Sequence, residues 1–494
     1  MILSSFTARN FKSIGAGGAG IDVAPITVLV GENGSGKSSL LEALALIAQR
    51  TRPNAKGDVV LAGEYVRYDS AEEIFHRGNP DESIELAFTL APDADERAYY
   101  RKLANLQLDY VEAERLFAPS LRPETDSQQG ATIRDIGRLV AGVGIAAKAL
   151  SETEGLRVTT TLSTRRFVAR TSVLAGRFPL WSHDAAGSSN TAVVLGGEPP
   201  RLFLSRTTLD QPLHDRLFSD ASRSLNFGGR ATSPEPTVFS GSPGFPSGTL
   251  RDLVYDFFSR TEEAIFAGLQ RVYYIPAPRG RVPSAVSAGD SPEWIGTTSD
   301  QLARFMVKLQ GVRDKSVFGQ IQEWARRFGV HELNAASDGS ATFHVDYQDD
   351  VLKAGLGVRG LGYGSTQVLP IIAQGFSAPE GSCLIIEEPE VSLHPNAQIT
   401  LLDMFADFVR QNKRLLITTH SATLLMGLGR LLEGDHPLKP EQIAVYEASK
   451  TPAGSSFRPL KINDKGFIDG WVDSFGHAEK QILESWIKSV PEAS

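Results

Sequence analysis

One run of eight residues constrains this chain more than any other: Gly31-Glu32-Asn33-Gly34-Ser35-Gly36-Lys37-Ser38, a G-x-x-x-x-G-K-[ST] pattern. The apolar run Ile26-Thr27-Val28-Leu29-Val30 precedes it. Leu40, Leu41, Leu44, Ile47 and Ala48 follow it at spacings of three and four, up to the break at Thr51-Arg52-Pro53. The pattern predicts strand, glycine loop and helix in close succession, which is the context the motif requires. Glycines let backbone N–H groups turn inward around phosphate oxygens. The helix start adds free N–H groups and the positive end of its dipole. Lys37 is placed to reach β- and γ-phosphates, and Ser38 to offer a hydroxyl to Mg²⁺. Asn33, Gly34, Ser35, Gly36 and Ser39 complete the candidate nucleotide-binding set.

Three further segments carry chemistry. In Cys383-Leu384-Ile385-Ile386-Glu387-Glu388-Pro389-Glu390, an apolar strand ends in adjacent carboxylates. Successive strand residues point opposite ways, so one carboxylate can serve a Mg²⁺ shell while the next orients an attacking water. Alone, the segment is equally a solvated strand end. Leu415-Leu416-Ile417-Thr418-Thr419-His420-Ser421 is a second apolar strand, ending in a histidine that is either a structural cap or a γ-phosphate sensor. Gly360-Leu361-Gly362-Tyr363-Gly364-Ser365-Thr366-Gln367 places glycines before a second helix. It reads as a flexible turn or as another anion-binding helix start.

The 494 residues amount to about three domains' worth of chain. Acids outnumber bases 58 to 50, a net charge of -8, so no global attraction to DNA or an anionic membrane is implied. The single cysteine, Cys383, excludes an intrachain disulfide and suits a reduced, cytoplasmic setting. Met1-Ile2-Leu3-Ser4-Ser5 lacks the basic region of a signal peptide. No apolar run approaches the ~18 residues of a membrane span.

Other segments predict organisation. Ile2, Phe6 and Ala8 share a strand parity, with Phe11 and Ile14 continuing the apolar set up to a glycine turn at 15–18. Residues 84–90 alternate as a strand, and 98–118 read as a charged amphipathic helix. Residues 157–206 carry β-like stretches rich in arginine (Arg157, Arg165, Arg166, Arg170 and Arg177). Residues 226–248, dense in Gly, Ser and Pro, predict a long mobile loop. Two helices are expected over 300–328, a short β segment at 442–447 and 456–461, and a last helix from about 478.

In chain order the chemical segments resemble the head of an ABC-type ATPase. The resemblance implies an α/β fold: a core sheet carrying the phosphate loop, an antiparallel β lobe, and a mixed α+β insertion. It implies an N-terminal lobe over 1–95, an insertion over 96–344 and a C-terminal lobe over 345–494. By resemblance Gly31–Ser38 is Walker A, the carboxylate strand Walker B, Glu390 to Pro395 the D-loop and His420 the switch. Glu388 is then the catalytic glutamate. Glu387 stands where the family usually has Asp as a metal ligand beside Ser38. Gly364, Ser365 and Gln367 correspond loosely to the signature, whose usual L-S-G-G-Q is absent. No glutamine occurs between residues 50 and 95, so the Q-loop position is unassigned, with Gln49 just before that window.

A closer likeness is to prokaryotic OLD-like and RecF-like AAA ATPases. It rests on Asn10-Phe11-Lys12-Ser13, Tyr363 to Pro370, Glu387-Glu388-Pro389-Glu390 and Leu393-His394-Pro395, with Tyr274-Ile275-Pro276-Ala277-Pro278-Arg279-Gly280 as a further similar element. The span between Walker A and the signature lacks heptads, which argues against a long-armed SMC machine. Leu432-Glu433-Gly434-Asp435 superficially resembles a nuclease motif of OLD proteins. No spaced D-x-D follows it, and 494 minus 420 leaves 74 residues after His420. The resemblance implies ATP and Mg²⁺ as ligands, a homodimer, and an antiphage role with a separate effector such as a nuclease or toxin. A RecF-like DNA-repair ATPase is the alternative. A degenerate ATP-binding scaffold and a transporter subunit fit the motifs less well.

Overall fold

The computed structural model describes residues 1–52, 61–79, 82–105, 143–152, 155–163, 168–176, 178–184, 250–280, 286–287, 293–312, 316–337, 342–349, 352–433, 437–463, 466 and 468. The sequence expectations for 106–118, 185–206, 226–248, Gly434 and Asp435, and the helix from 478 lie outside the described residues. So do Arg165, Arg166 and Arg177 and the side chain of Arg170.

The chain opens with β1 (Ile2–Arg9), β2 (Ala19–Asp22), β3 (Ile26–Val30) and α1 (Lys37–Ala48). Next come β4 (Ile84–Ala91), α2 (Ala94–Asn105), β5 (Leu156–Ser163), β6 (Val168–Ala175), β7 (Phe178–Asp184) and α3 (Leu250–Gln270). Then follow β8 (Val272–Ile275), β9 (Val286–Ser287), α4 (Leu302–Gly311), α5 (Ser316–Arg327), β10 (His331–Ser337), β11 (Thr342–Asp349) and β12 (Ala354–Gly357). The last described elements are α6 (Tyr363–Ser377), β13 (Cys383–Glu387), α7 (Pro395–Arg410), β14 (Arg414–Thr418), α8 (Ala422–Met426), β15 (Ile443–Thr451) and β16 (Gly454–Leu460). Among the described residues no helix is long and apolar enough to cross a membrane.

These elements form two units: Met1–Lys12 with Leu46–Gln270, and Ser13–Ala45 with Arg271–Ser494. In the first, antiparallel strands run in the order β1-β4-β5-β6-β7. Phe6 pairs with Phe88, and Phe88 with Val158, so one apolar face continues across the strands. The simple parity expected for β1 breaks. A register shift between Leu3 and Ser5 buries Leu3 rather than Ile2 on the side of Phe6 and Ala8. Phe11 lies beyond the strand, because Asn10 and Lys12 take positive φ values of 54° and 49°.

The second unit is built on a sheet in the order β16-β15-β3-β14-β13-β8. All pairs from β15 to β8 are parallel, and β15–β16 alone is antiparallel. Every residue of β3, β8 and β13 is buried, as expected for parallel strands covered on both faces. A smaller sheet, β10-β11-β12 with β9 beside β11, lies in the same unit. Strand β8 falls inside the span read from sequence as insertion, yet it is the edge strand of this parallel sheet.

Helices α5, α6 and α7 share an aromatic seam. Trp324 stacks on Phe376 with centroids 6.1 Å apart, and Phe376 meets Phe408 edge-on at 4.8 Å. Lys413 closes the C-terminal end of α6: its Nζ donates to Gly375 O (2.6 Å), Phe376 O (3.3 Å) and Gln411 Oε1 (2.9 Å). The positive charge suits the carbonyl end of the helix dipole. Burial nevertheless lowers its proton affinity to about 8.

Two outcomes are expected. Phe408→Ala opens the seam and lowers stability by about 3–5 kcal/mol, read as a shift in denaturant midpoint. Folded Lys413 holds fewer protons than the unfolded chain between pH 8 and its ordinary 10.5, so its contribution to stability rises with pH across that window. The stability difference between wild type and Lys413→Met should therefore move in favour of wild type from pH 8 to 10.5.

Candidate active site

The parallel register sets the site. Leu29 of β3 pairs with Thr418 of β14, and Thr418 with Glu387 of β13. The phosphate-loop strand, the histidine strand and the carboxylate strand thus end in one row, at the carboxyl edge where open α/β sheets bind ligands.

At the first strand end, Gly31–Gly36 form the loop and α1 begins at Lys37. The Lys37 ammonium folds back into the loop, donating to Gly31 O (2.8 Å), Glu32 O (2.9 Å) and Ser35 Oγ (3.4 Å). Burial lowers its proton affinity, while Glu388, Glu387 and Glu390 pull it back up. Asn33, Gly34 and Ser38 are exposed, and Ser35 is buried beneath the loop. Ser39 Oγ accepts from Ser13 Oγ at 2.9 Å, and Ser455 Oγ donates to Ser13 Oγ at the same distance. Gly36 sits on this hydroxyl chain at φ +104°; a Cβ there would lie 2.2 Å from Ser455 Oγ and 2.6 Å from Ser13 Oγ.

At the third strand end, Glu387 is 7 % exposed, and its Oε1 has no hydrogen-bond partner. Oε2 accepts weakly from Ala277 N at 3.5 Å. Burial raises the affinity of this carboxyl for its proton, opposed by hydrogen bonds from the Ser38 hydroxyl and Ala277 N–H; Glu42 also raises it. Glu388 takes φ +42°, a left-handed conformation costing about 1–3 kcal/mol for such a residue. Its N–H is held by Thr418 O (3.0 Å) and Thr418 Oγ1 (3.3 Å). The turn throws the Glu388 side chain outward, 3.8 Å from His420 Nε2. Burial and the Lys37 charge lower His420's proton affinity, while Glu388 raises it.

Glu390 fixes the loop that carries the histidine. Its Oε1 accepts from Thr419 Oγ1 (2.7 Å) and from His420 N (2.8 Å), and its buried Oε2 has no partner. Ser421 caps α8 by accepting from Leu424 N at 3.1 Å. Lys37, Ser38, Glu387, Glu388 and His420, all singled out in the sequence, therefore converge on one site.

A magnesium ion would fit here. The orphaned Glu387 oxygen beside the Ser38 hydroxyl is the donor pair such an ion takes when phosphates complete its shell. Among the described residues no group of three or more His, Cys, Asp or Glu forms a protein-only cage.

The second helix start is built differently. Gly364 packs so closely that a Cβ would lie 2.4 Å from Ser392 O of the D-loop. Ser365 Oγ donates to Phe328 O at 3.2 Å. Gln367 is fully buried, with Oε1 accepting from Arg279 N (2.9 Å) and Nε2 donating to Gly280 O (2.7 Å), so its amide is spent within the fold. Gln49, just before the window searched for a Q-loop, accepts from Tyr65 N (3.1 Å) and Val66 N (2.9 Å). Sequence reasoning missed Ser455, because hairpin pairing alone brings it under the loop. Arg279 enters the sequence reading only through the family resemblance of residues 274–280, which assigns it no role.

Residues 26–127 match the family model described as "AAA domain, putative AbiEii toxin, Type IV TA system". Residues 298–425 match one described as "AAA ATPase domain". These two segments are of the AAA ATPase type. The first contains the phosphate loop, and the second contains α6, the carboxylates and His420. No curated protein matches the chain. Solved structures similar to the chain include an Smc head bound to the C-terminal winged-helix domain of ScpA. It shows 9% identity and TM-score 0.45, with 93% of this chain and 98% of that one covered. The SMC head domain from Thermotoga maritima gives 10% identity, TM-score 0.38 and coverage of 94% and 100%. An Smc head with an extended coiled coil, bound to the C-terminal domain of ScpA from Pyrococcus furiosus, gives 10% identity, TM-score 0.37 and coverage of 98% and 99%.

Gly36→Ala is expected to displace the loop from the Ser13 and Ser455 hydroxyls and abolish binding of a fluorescent ATP analogue. The circular dichroism spectrum should be unchanged.

Proposed function

We propose that the chain binds Mg²⁺-ATP at this site and hydrolyses it to ADP and phosphate. One observation carries the reading. A Walker A lysine, a buried carboxylate with a free oxygen and an outward-facing glutamate beside a histidine converge at the ends of neighbouring parallel strands. The loop N–H groups and the α1 start would cradle the phosphates. Lys37 would exchange its loop carbonyls for phosphate oxygens. Ser38 and Glu387 would hold Mg²⁺, whose charge offsets that of the β- and γ-phosphates. Glu388 would accept a hydrogen bond from the attacking water and align it with the γ-phosphorus. His420, its proton affinity held down by burial and by Lys37, would stand beside that water and the phosphate.

A further reading follows from α6. Its glycine-lined start carries no phosphate loop of its own, so it would meet the nucleotide of a second copy. ATP would then gate a homodimer, and hydrolysis would reopen it. The match to an AbiEii-type family over residues 26–127 supports a role in prokaryotic defence. There the dimer would restrain or release a separate effector, a nuclease or toxin. For the RecF-like alternative, Arg157 is the one proposed arginine whose side chain is described, and it is exposed on β5.

Lys37→Ala should abolish both ATP binding and turnover. Glu388→Gln should keep binding and lower turnover by about 10²-fold or more. In sedimentation with ATP and Mg²⁺, Glu388→Gln should run as a dimer and Lys37→Ala as a monomer. An unchanged mass for Glu388→Gln removes the gating reading.

A further inference from the structure

The segment after β8, Pro276-Ala277-Pro278-Arg279-Gly280, meets the site through Ala277 N, which donates to Glu387 Oε2, and through the Gln367 amide. At its centre lies one of the largest fully buried side chains of the described structure. Arg279 is 0% exposed, and its charge forms no salt bridge among the described residues. Its donors go to backbone carbonyls instead. Nε donates to Gln367 O (2.8 Å), Nη1 to Glu387 O (2.8 Å) and Pro276 O (3.2 Å), and Nη2 to Glu388 O (3.0 Å). Its own N–H donates to Gln367 Oε1 at 2.9 Å, and Gln367 Nε2 returns a bond to Gly280 O at 2.7 Å.

We infer that Arg279 is a positioning residue for hydrolysis, tying Gln367 of α6 to the backbone of Glu387 and Glu388. The inference rests on the ATPase reading above. A buried cation is a poor device for stability alone, since an apolar side chain of similar volume often serves better. Burial indeed pushes the proton affinity of this arginine down to about 10, against the pull of Glu390, Glu387 and Glu388. What the guanidinium supplies is its planar fork. It donates to four carbonyls, one more than the three N–H groups of an ammonium can each serve. Two of its acceptors are the carbonyls of the metal-binding and water-orienting residues. Glu388 needs such support, because its φ of +42° is not a conformation it would keep unaided. Another acceptor is Gln367 O of α6, two residues after Ser365. Any displacement of Gln367 would therefore reach Glu388 through one rigid side chain.

The test uses the full chain, with kcat and KM from phosphate release and Kd from a fluorescent ATP analogue, both with Mg²⁺. Arg279→Met should lower kcat by about 10- to 100-fold, the scale of a misplacement near 1 Å. Its Kd should stay within about twofold of wild type, marking a loss confined to the hydrolysis step. Arg279→Lys should not rescue kcat. Gln367→Met, which leaves the guanidinium in place, should show a smaller loss, and the double variant should fall no further than Arg279→Met. If Arg279→Met does not fold, Gln367→Met decides through the same split between kcat and Kd. Wild-type kcat in the folded variants overturns the inference. So does a parallel loss of binding and turnover that tracks thermal stability. If wild type itself hydrolyses no more ATP than Lys37→Ala, the ATPase reading has failed, and the role of Arg279 falls with it.

Discussion

The register of three parallel strands is the constraint on which the rest of the second unit depends. Leu29, Thr418 and Glu387 lie across from one another. This row carries the phosphate loop, the histidine and the carboxylates to one edge from segments almost 400 residues apart. A slip of one residue in any strand would turn its end group to the other face of the sheet. Burial of β3 and β13 on both faces resists such a slip, because it would expose apolar side chains and bury polar ones.

The charges at that edge would suit a cation and a polyanion. Glu387 and Glu390 are buried, each with one oxygen unpartnered, and burial raises the proton affinity of both. Unpaired buried carboxylate oxygens weaken the fold. Lys37 and Arg279 both feel these carboxylates, yet the hydrogen bonds of their charged groups go to carbonyls and the Ser35 hydroxyl. A ligand bringing both Mg²⁺ and phosphates would relieve both sides at once. The strain at Glu388 belongs to the same design, since the left-handed turn separates two adjacent carboxylates into a buried one and an outward one.

Much of this was legible in the sequence. The strand-loop-helix over residues 26–48, the apolar strands leading to Glu387-Glu388 and His420, and the helices over 300–328 all follow from local periodicity. Each is a short-range pattern whose hydrophobic face or glycine content decides its form. The parity of β1 was misjudged, because a bulge is invisible to alternation. Strand β8 was not recognised as part of the core sheet. Four residues ending at a proline carry too little pattern, and only pairing with β13 makes them a strand. Gln367 corresponds loosely to the signature in sequence, and the fold uses its amide to hold Arg279.

The sequence by itself determined which groups are on hand: a glycine-rich loop with its lysine and serine, carboxylates at a strand end and a histidine at another. These are properties of residue type and spacing, which survive without knowledge of partners far along the chain. Tertiary structure alone decided how those groups are held. Ser455 beneath Gly36, Glu390 across from His420 and Arg279 beneath Glu387 and Glu388 are contacts between distant segments. Their hydrogen bonds exist only after the parallel sheet has set its register, and no local pattern encodes a register between strands so far apart.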